Sequence, residues 1–137
     1  MTAKELQQLG PLQEKWMEEL ESGNHQQTRR ALFDGTGYCC LGIGARFVLG
    51  IRPICDKSGR YTFGENGRTG LEKDYKKLGL YTPTGGQYEP RRFHRSLAIL
   101  NDGIAGGYSA SEVCSKTFKD IAAIIRSDPS VYFTEPK

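Results

Sequence analysis

No stretch of this 137-residue chain approaches the roughly 18 consecutive apolar residues that a membrane-spanning helix needs. The opening residues, Met1 to Gln8, lack the apolar core of a secretory signal. The expected location is therefore the cytoplasm, with no membrane partner. No Cys-x-x-Cys or His-x-x-x-His pair exists, and only His25 and His94 supplement the four thiols. That excludes the usual spacings of a structural zinc site, and neither a metal nor a cofactor is expected. Without a signal segment, Cys39, Cys40, Cys55 and Cys114 are expected to be reduced and mostly buried. No internal repeat or low-complexity tract is present. A strong basic bias is missing too: 19 Lys and Arg against 16 Asp and Glu leave a net charge of +3, so nucleic acid is not the expected partner.

The length fits one hydrophobic core, whereas two halves of about 70 residues would each be short of core. Mean hydropathy is −0.54, polar but not at the disordered extreme. Seven Tyr, six Phe and one Trp supply large apolar anchors. A single domain over residues 1–137 follows.

Along the chain, Pro11 suits a first helical turn, and Leu12, Trp16 and Leu20 recur at four-residue spacing up to Ser22-Gly23. Residues 28–33 read as a strand, followed by the turn Asp34-Gly35-Thr36-Gly37. Cys40, Ile43, Phe47 and Val48 have helical spacing, closed by Gly50. Residues 60–63 read as one strand of a small hairpin, and Leu71, Tyr75 and Leu78 as a short helix ending at Gly79. Residues 82–90 and 103–116 read as long or mobile loops, the second containing a short helix near 110–114. Residues 96–100 fit either a strand or a helical turn. Thr117 is a good N-cap for a helix with Phe118, Ile121, Ala122 and Ile125 on one face, ended by Asp128-Pro129. Val131-Tyr132-Phe133 reads as a final edge strand. The fold class is α+β, several short helices packed on a small antiparallel sheet.

Trp16-x-x-x-Leu20-x-Ser22-Gly23, Gln27, Leu32, Tyr38-Cys39-Cys40-Leu41-Gly42, Leu97-x-x-Leu100-Asn101-Asp102 and Thr117-Phe118-x-x-Ile121-Ala122-x-x-Ile125 occur in this order. Together they resemble a group of small phage-encoded proteins without established function, widespread in tailed-phage genomes. The Tyr-Cys-Cys-Leu-Gly block is the most specific element. The chain departs from that pattern at Ala45, where the group often has a third cysteine, and by its insertion at 104–116. The resemblance implies a phage protein acting in the bacterial cytoplasm, and the company such proteins keep implies action against host defence.

Three functional readings follow. In the first, the protein sequesters a small phosphorylated signal such as a cyclic or modified nucleotide. Arg91, Arg92 and Arg95 would hold phosphate through bidentate donors, Tyr88 or Phe93 would stack on a base, and His94 would donate a hydrogen bond. Asn101 and Asp102 complete the candidate ligand-binding set, although Asn-Asp-Gly is also a good turn sequence. A homo-oligomer is in keeping with that role. The second reading is a protein-binding inhibitor or adaptor, resting on the many Tyr and Arg side chains. The third is a thiol-dependent hydrolase, with Cys40 at a helix N-terminus as nucleophile and His94 as base.

Overall fold

Gly10 and Pro11 start the first helix. Gly10 is extended and its N–H donates to Gln13 Oε1 at 2.9 Å, while Pro11 has no N–H to leave unpaired. The computed structural model describes residues 8–29, 31–63, 71–86, 96–103 and 116–137. Helix α1 (Pro11–Glu21) buries Gln13, Trp16, Met17 and Leu20. The four-residue spacing puts Leu12 on this face, but Leu12 is 38% exposed. The apolar stripe is rotated because Gln13 Nε2 turns inward to bond the carbonyls of Leu78 and Glu135, both at 2.9 Å.

Among the described residues of the strand expected over 28–33, only Phe33 makes a bridge. Asp34 Oδ1 accepts from the N–H groups of Thr36 and Gly37, a tight turn that sends the chain back at once. Tyr38 then makes single-residue bridges to both Gln27 and Phe33, so the segment wraps around one residue instead of pairing as a ladder. Helix α2 (Cys40–Ile43) follows and runs into a π-helical turn (Gly44–Val48), where the expected single α-helix widens. The wide turn keeps Ala45 in the core and swings Phe47 onto the rings of His25 and Tyr38.

Strands β1 (Pro53–Cys55) and β2 (Tyr61–Phe63) form an antiparallel hairpin with Ile54 opposite Thr62. Asp56 organises its turn by accepting from the N–H groups of Ser58 and Arg60. The hairpin contributes Phe63 to the core. Residues 71–79 make a turn and then a 3-10 helix (Tyr75–Leu78), stopped by Gly79 at φ +79°. Residues 96–100 are helical: α3 (Leu97–Asp102) is capped by Ser96 Oγ, which accepts from the Ile99 N–H.

Helix α4 (Phe118–Ser127) matches expectation, with Thr117 Oγ1 capping the Asp120 N–H and Phe118, Ile121, Ala122 and Ile125 buried. Arg126 ties it to α1 through a two-point bond to Glu21 and a third bond to Glu14. The expected final strand is replaced by a 3-10 turn (Pro129–Val131) and one bridge, Phe133 to Leu80. The presence of Pro129, which has no N–H to donate, favours the turn. The result is a small α+β domain whose core surrounds Trp16, its ring edge-to-face with Phe133 at 5.9 Å. The short helix expected near 110–114 lies outside the described residues. Of the loop expected over 82–90, residues 82–86 are described, with a turn closed by Gly85 N–H to Thr82 O.

Candidate binding cleft

Asn101, in the last turn of α3, is fully buried. Its Oδ1 accepts from Gln27 Nε2 at 2.9 Å and from the Cys40 N–H at 3.0 Å. Its Nδ2 donates to Thr28 O at 2.8 Å and to Asp102 Oδ1 at 2.9 Å. Two acceptances and two donations use the whole capacity of an amide side chain. Asn101 therefore serves the fold, joining the 27–28 segment, the start of α2 and the end of α3, and has no valence left for a ligand. Gln27 extends the network by donating to Lys116 O.

This network sets the spacing between the segments that enclose a cleft of about 380 Å³. One wall is Ala31, Leu32, Cys39 and Leu41; the other is Leu71, Glu72, Pro83 and Thr84. Ala98 and Asp102 of α3 complete it. The walls are mainly apolar, and among the described residues the charged side chains lining the cleft are the carboxylates Glu72 and Asp102. Asp102 is half-buried and Glu72 exposed.

Of the candidate ligand-binding residues, the structure thus brings Asp102 to the cleft and commits Asn101 to the core. Tyr88, Arg91, Arg92, Phe93, His94 and Arg95 lie outside the described residues. Leu97 N–H donates to Gly85 O at 2.9 Å and Ala98 N–H to Thr84 O at 3.1 Å. Thr84 and Ala98, joined by the second of these bonds, both line the cleft.

The thiols behave differently from the hydrolase expectation. Cys40 is fully buried, its Sγ donating to Leu97 O at 3.5 Å, and burial pushes its pKa well above the ordinary thiol value. Cys39 caps α2, its Sγ accepting from the Gly42 N–H, and burial pushes its pKa up to about 12. Desolvation disfavours the thiolate at both positions, so neither supplies a nucleophile at neutral pH. Cys55 is exposed on β1. Among the described residues, no group of three or more His, Cys, Asp or Glu side chains converges as a metal site would require. No helix among them is long and apolar enough to cross a membrane.

Ala31, Leu71, Glu72, Pro83 and Thr84 had given no sign in the sequence. They are unremarkable residue types from separate stretches, and only tertiary packing brings them together. Packing accounts for several residues of the Trp16 and Tyr38-Cys39-Cys40-Leu41-Gly42 motifs: Trp16 Nε1 donates to Cys40 O, Cys40 N–H donates to Asn101 Oδ1, and Gly42 lies against the Leu32 carbonyl, where a Cβ would collide.

Residues 10–50 are similar to a domain of unknown function, DUF8296. That stretch spans α1, one wall of the cleft and the π-helical turn. No curated protein and no solved structure matches the chain.

Proposed function

We propose that the protein is a phage-encoded accessory protein of the anti-defence kind, which binds a small phosphorylated signal, a cyclic or otherwise modified nucleotide, and sequesters it without converting it. The observation that carries this reading is the mainly apolar cleft of about 380 Å³, lined by Thr84 and Ala98; the expected phosphate-holding residues Arg91, Arg92 and Arg95 fall between these two in the sequence. The volume falls within the range of small-molecule sites, about 300–1,000 Å³. Apolar walls suit the flat faces of a ring, and guanidinium groups suit phosphate. Binding without turnover agrees with two thiols held protonated by burial.

The test is calorimetric titration of the full chain against a panel of cyclic and modified nucleotides, followed by chromatography of ligand released on denaturation. The expected result is binding by at least one member, recovery of that ligand unchanged, and loss of affinity in the triple variant Arg91→Ala, Arg92→Ala, Arg95→Ala. Absence of heat with every member overturns the reading.

A further inference from the structure

Resting on that nucleotide reading, we infer that the ligand is a dinucleotide: a second cleft, adjoining the first at Ala31 and Leu32, takes the second base, and Arg60 holds a phosphate there. Ala31 and Leu32 line the apolar cleft of about 380 Å³ and also a cleft of about 460 Å³, to which the hairpin contributes Arg60 and Tyr61. Each cleft alone is large enough for a small-molecule site. A mononucleotide therefore fills one and leaves the other open. Two bases joined through phosphate can occupy both, meeting at the two shared residues.

The second cleft supplies chemistry that the first lacks. Among the described residues lining the first there is no aromatic ring and no cation. Phe33 and Tyr61, both half-buried, line the second, with their rings edge-to-face at 4.8 Å. Tyr38 lies against Phe33 at 4.5 Å, so this aromatic wall is in place before any ligand arrives. An aromatic ring gives a base a stacking surface whatever its hydrogen-bonding pattern. Arg60 is exposed, and the hairpin turn fixes its backbone: its N–H donates to Asp56 Oδ1 and its carbonyl accepts from the Asp56 N–H. The charge of Arg60 also acts on the Asp56 carboxylate, but a guanidinium has five N–H donors and can hold a phosphate oxygen pair besides. Asp34, the carboxylate of this cleft, already accepts from Thr28 Oγ1 and from the N–H groups of Thr36 and Gly37, which offset its charge toward a phosphate.

The experiment titrates the full chain by calorimetry with cyclic and linear dinucleotides and with mononucleotides carrying the same bases. Dinucleotides are expected to bind about 10²- to 10⁴-fold more tightly, the gain from engaging two linked contacts at once. Arg60→Ala should narrow that ratio about tenfold, the loss expected for one charge-assisted contact, and Arg60→Lys should restore part of it. Thermal melting followed by Trp16 fluorescence checks that both variants keep the fold. Amide chemical shifts of the unaltered chain give a reading that needs no variant: a bound dinucleotide should move Leu41 and Leu71 in the first cleft together with Arg60 and Tyr61 in the second. Equal affinity for mono- and dinucleotides, a ratio untouched by Arg60→Ala, or shifts confined to one cleft overturns the dinucleotide assignment while leaving the nucleotide reading standing. Failure of every ligand to bind overturns both.

Discussion

Replacing Asn101 with alanine removes four hydrogen bonds at one point, and the structure allows the consequence of each to be followed. The Cys40 N–H is left buried with no side-chain oxygen to meet it, and Thr28 O loses its donor. Gln27 keeps a partner in Lys116 O, so its loss is smaller. A buried donor left unpaired costs about 1–3 kcal/mol, and a partly buried carbonyl sits at the lower end of that range. Adding the void left by the missing amide gives about 3–4 kcal/mol in all. That is a large share of the roughly 5–15 kcal/mol that holds a domain folded. Urea unfolding followed through Trp16 is the natural assay. Trp16 is the one tryptophan of the chain, and its Nε1 bonds the carbonyl of Cys40, next to the lesion. With a slope of about 2 kcal/mol/M, the midpoint should fall by about 1.5–2 M. Asn101→Asp gives a second, independent reading. It keeps an acceptor for Cys40 but turns an anionic oxygen toward Thr28 O and Asp102. The folded state then raises the pKa of that new carboxyl, so the variant is most stable below the ordinary carboxylate range and weakens as pH rises through the raised value. A loss below about 1 kcal/mol for Asn101→Ala, with an unchanged slope, would refute the hub role.

Gly42→Ala should destabilise by about 3 kcal/mol or more despite alanine's better helix propensity, because the new methyl group collides with the Leu32 carbonyl; the yield of folded protein and urea midpoints check this. Iodoacetamide at neutral pH should modify exposed Cys55 in the native protein and spare Cys39 and Cys40 until unfolding, as read by peptide mapping; early labelling of Cys40 would contradict its burial. Arg126→Met should cost about 1 kcal/mol, since its partners Glu14 and Glu21 are partly solvated. Arg126 holds the Glu21 carboxyl below its ordinary pKa, so this contribution is present above the usual carboxylate range and lost as pH falls through the lowered value. The gap between wild type and variant should therefore be constant above about pH 5 and shrink on acidification, measured by urea unfolding across pH.

Local signals explain what was legible beforehand. Thr117, Pro11 and Gly79 each act on backbone within a few residues, and the elements they bound, α4, α1 and the 3-10 turn ending at Leu78, were readable from them. Residues 28–33 misled because their β propensity gave no hint that Tyr38 would bridge on both sides. Leu12 faces solvent and Gln13 the core because the partners of Gln13, Leu78 and Glu135, lie far along the chain. The candidate site was harder still. Asn101 and Asp102 are neighbours with opposite roles, one saturated in the core and one at the cleft, and composition does not separate them. The remaining cleft residues come from stretches linked only by packing.

Lys137 lies against the first helix. Lys137 O accepts from the N–H groups of Leu12 and Gln13, and a Cβ on Gly10 would run into the Lys137 backbone. Residues 10–13 and Lys137 are thus adjacent in space. Joining these two points with a short linker would need little displacement, and new ends could be opened at Lys57 and Ser58, exposed in the hairpin turn. A circularised backbone would start its folding with this closure already made, sparing the entropy of bringing together positions more than a hundred residues apart, a term of roughly 4 kcal/mol for a flexible chain.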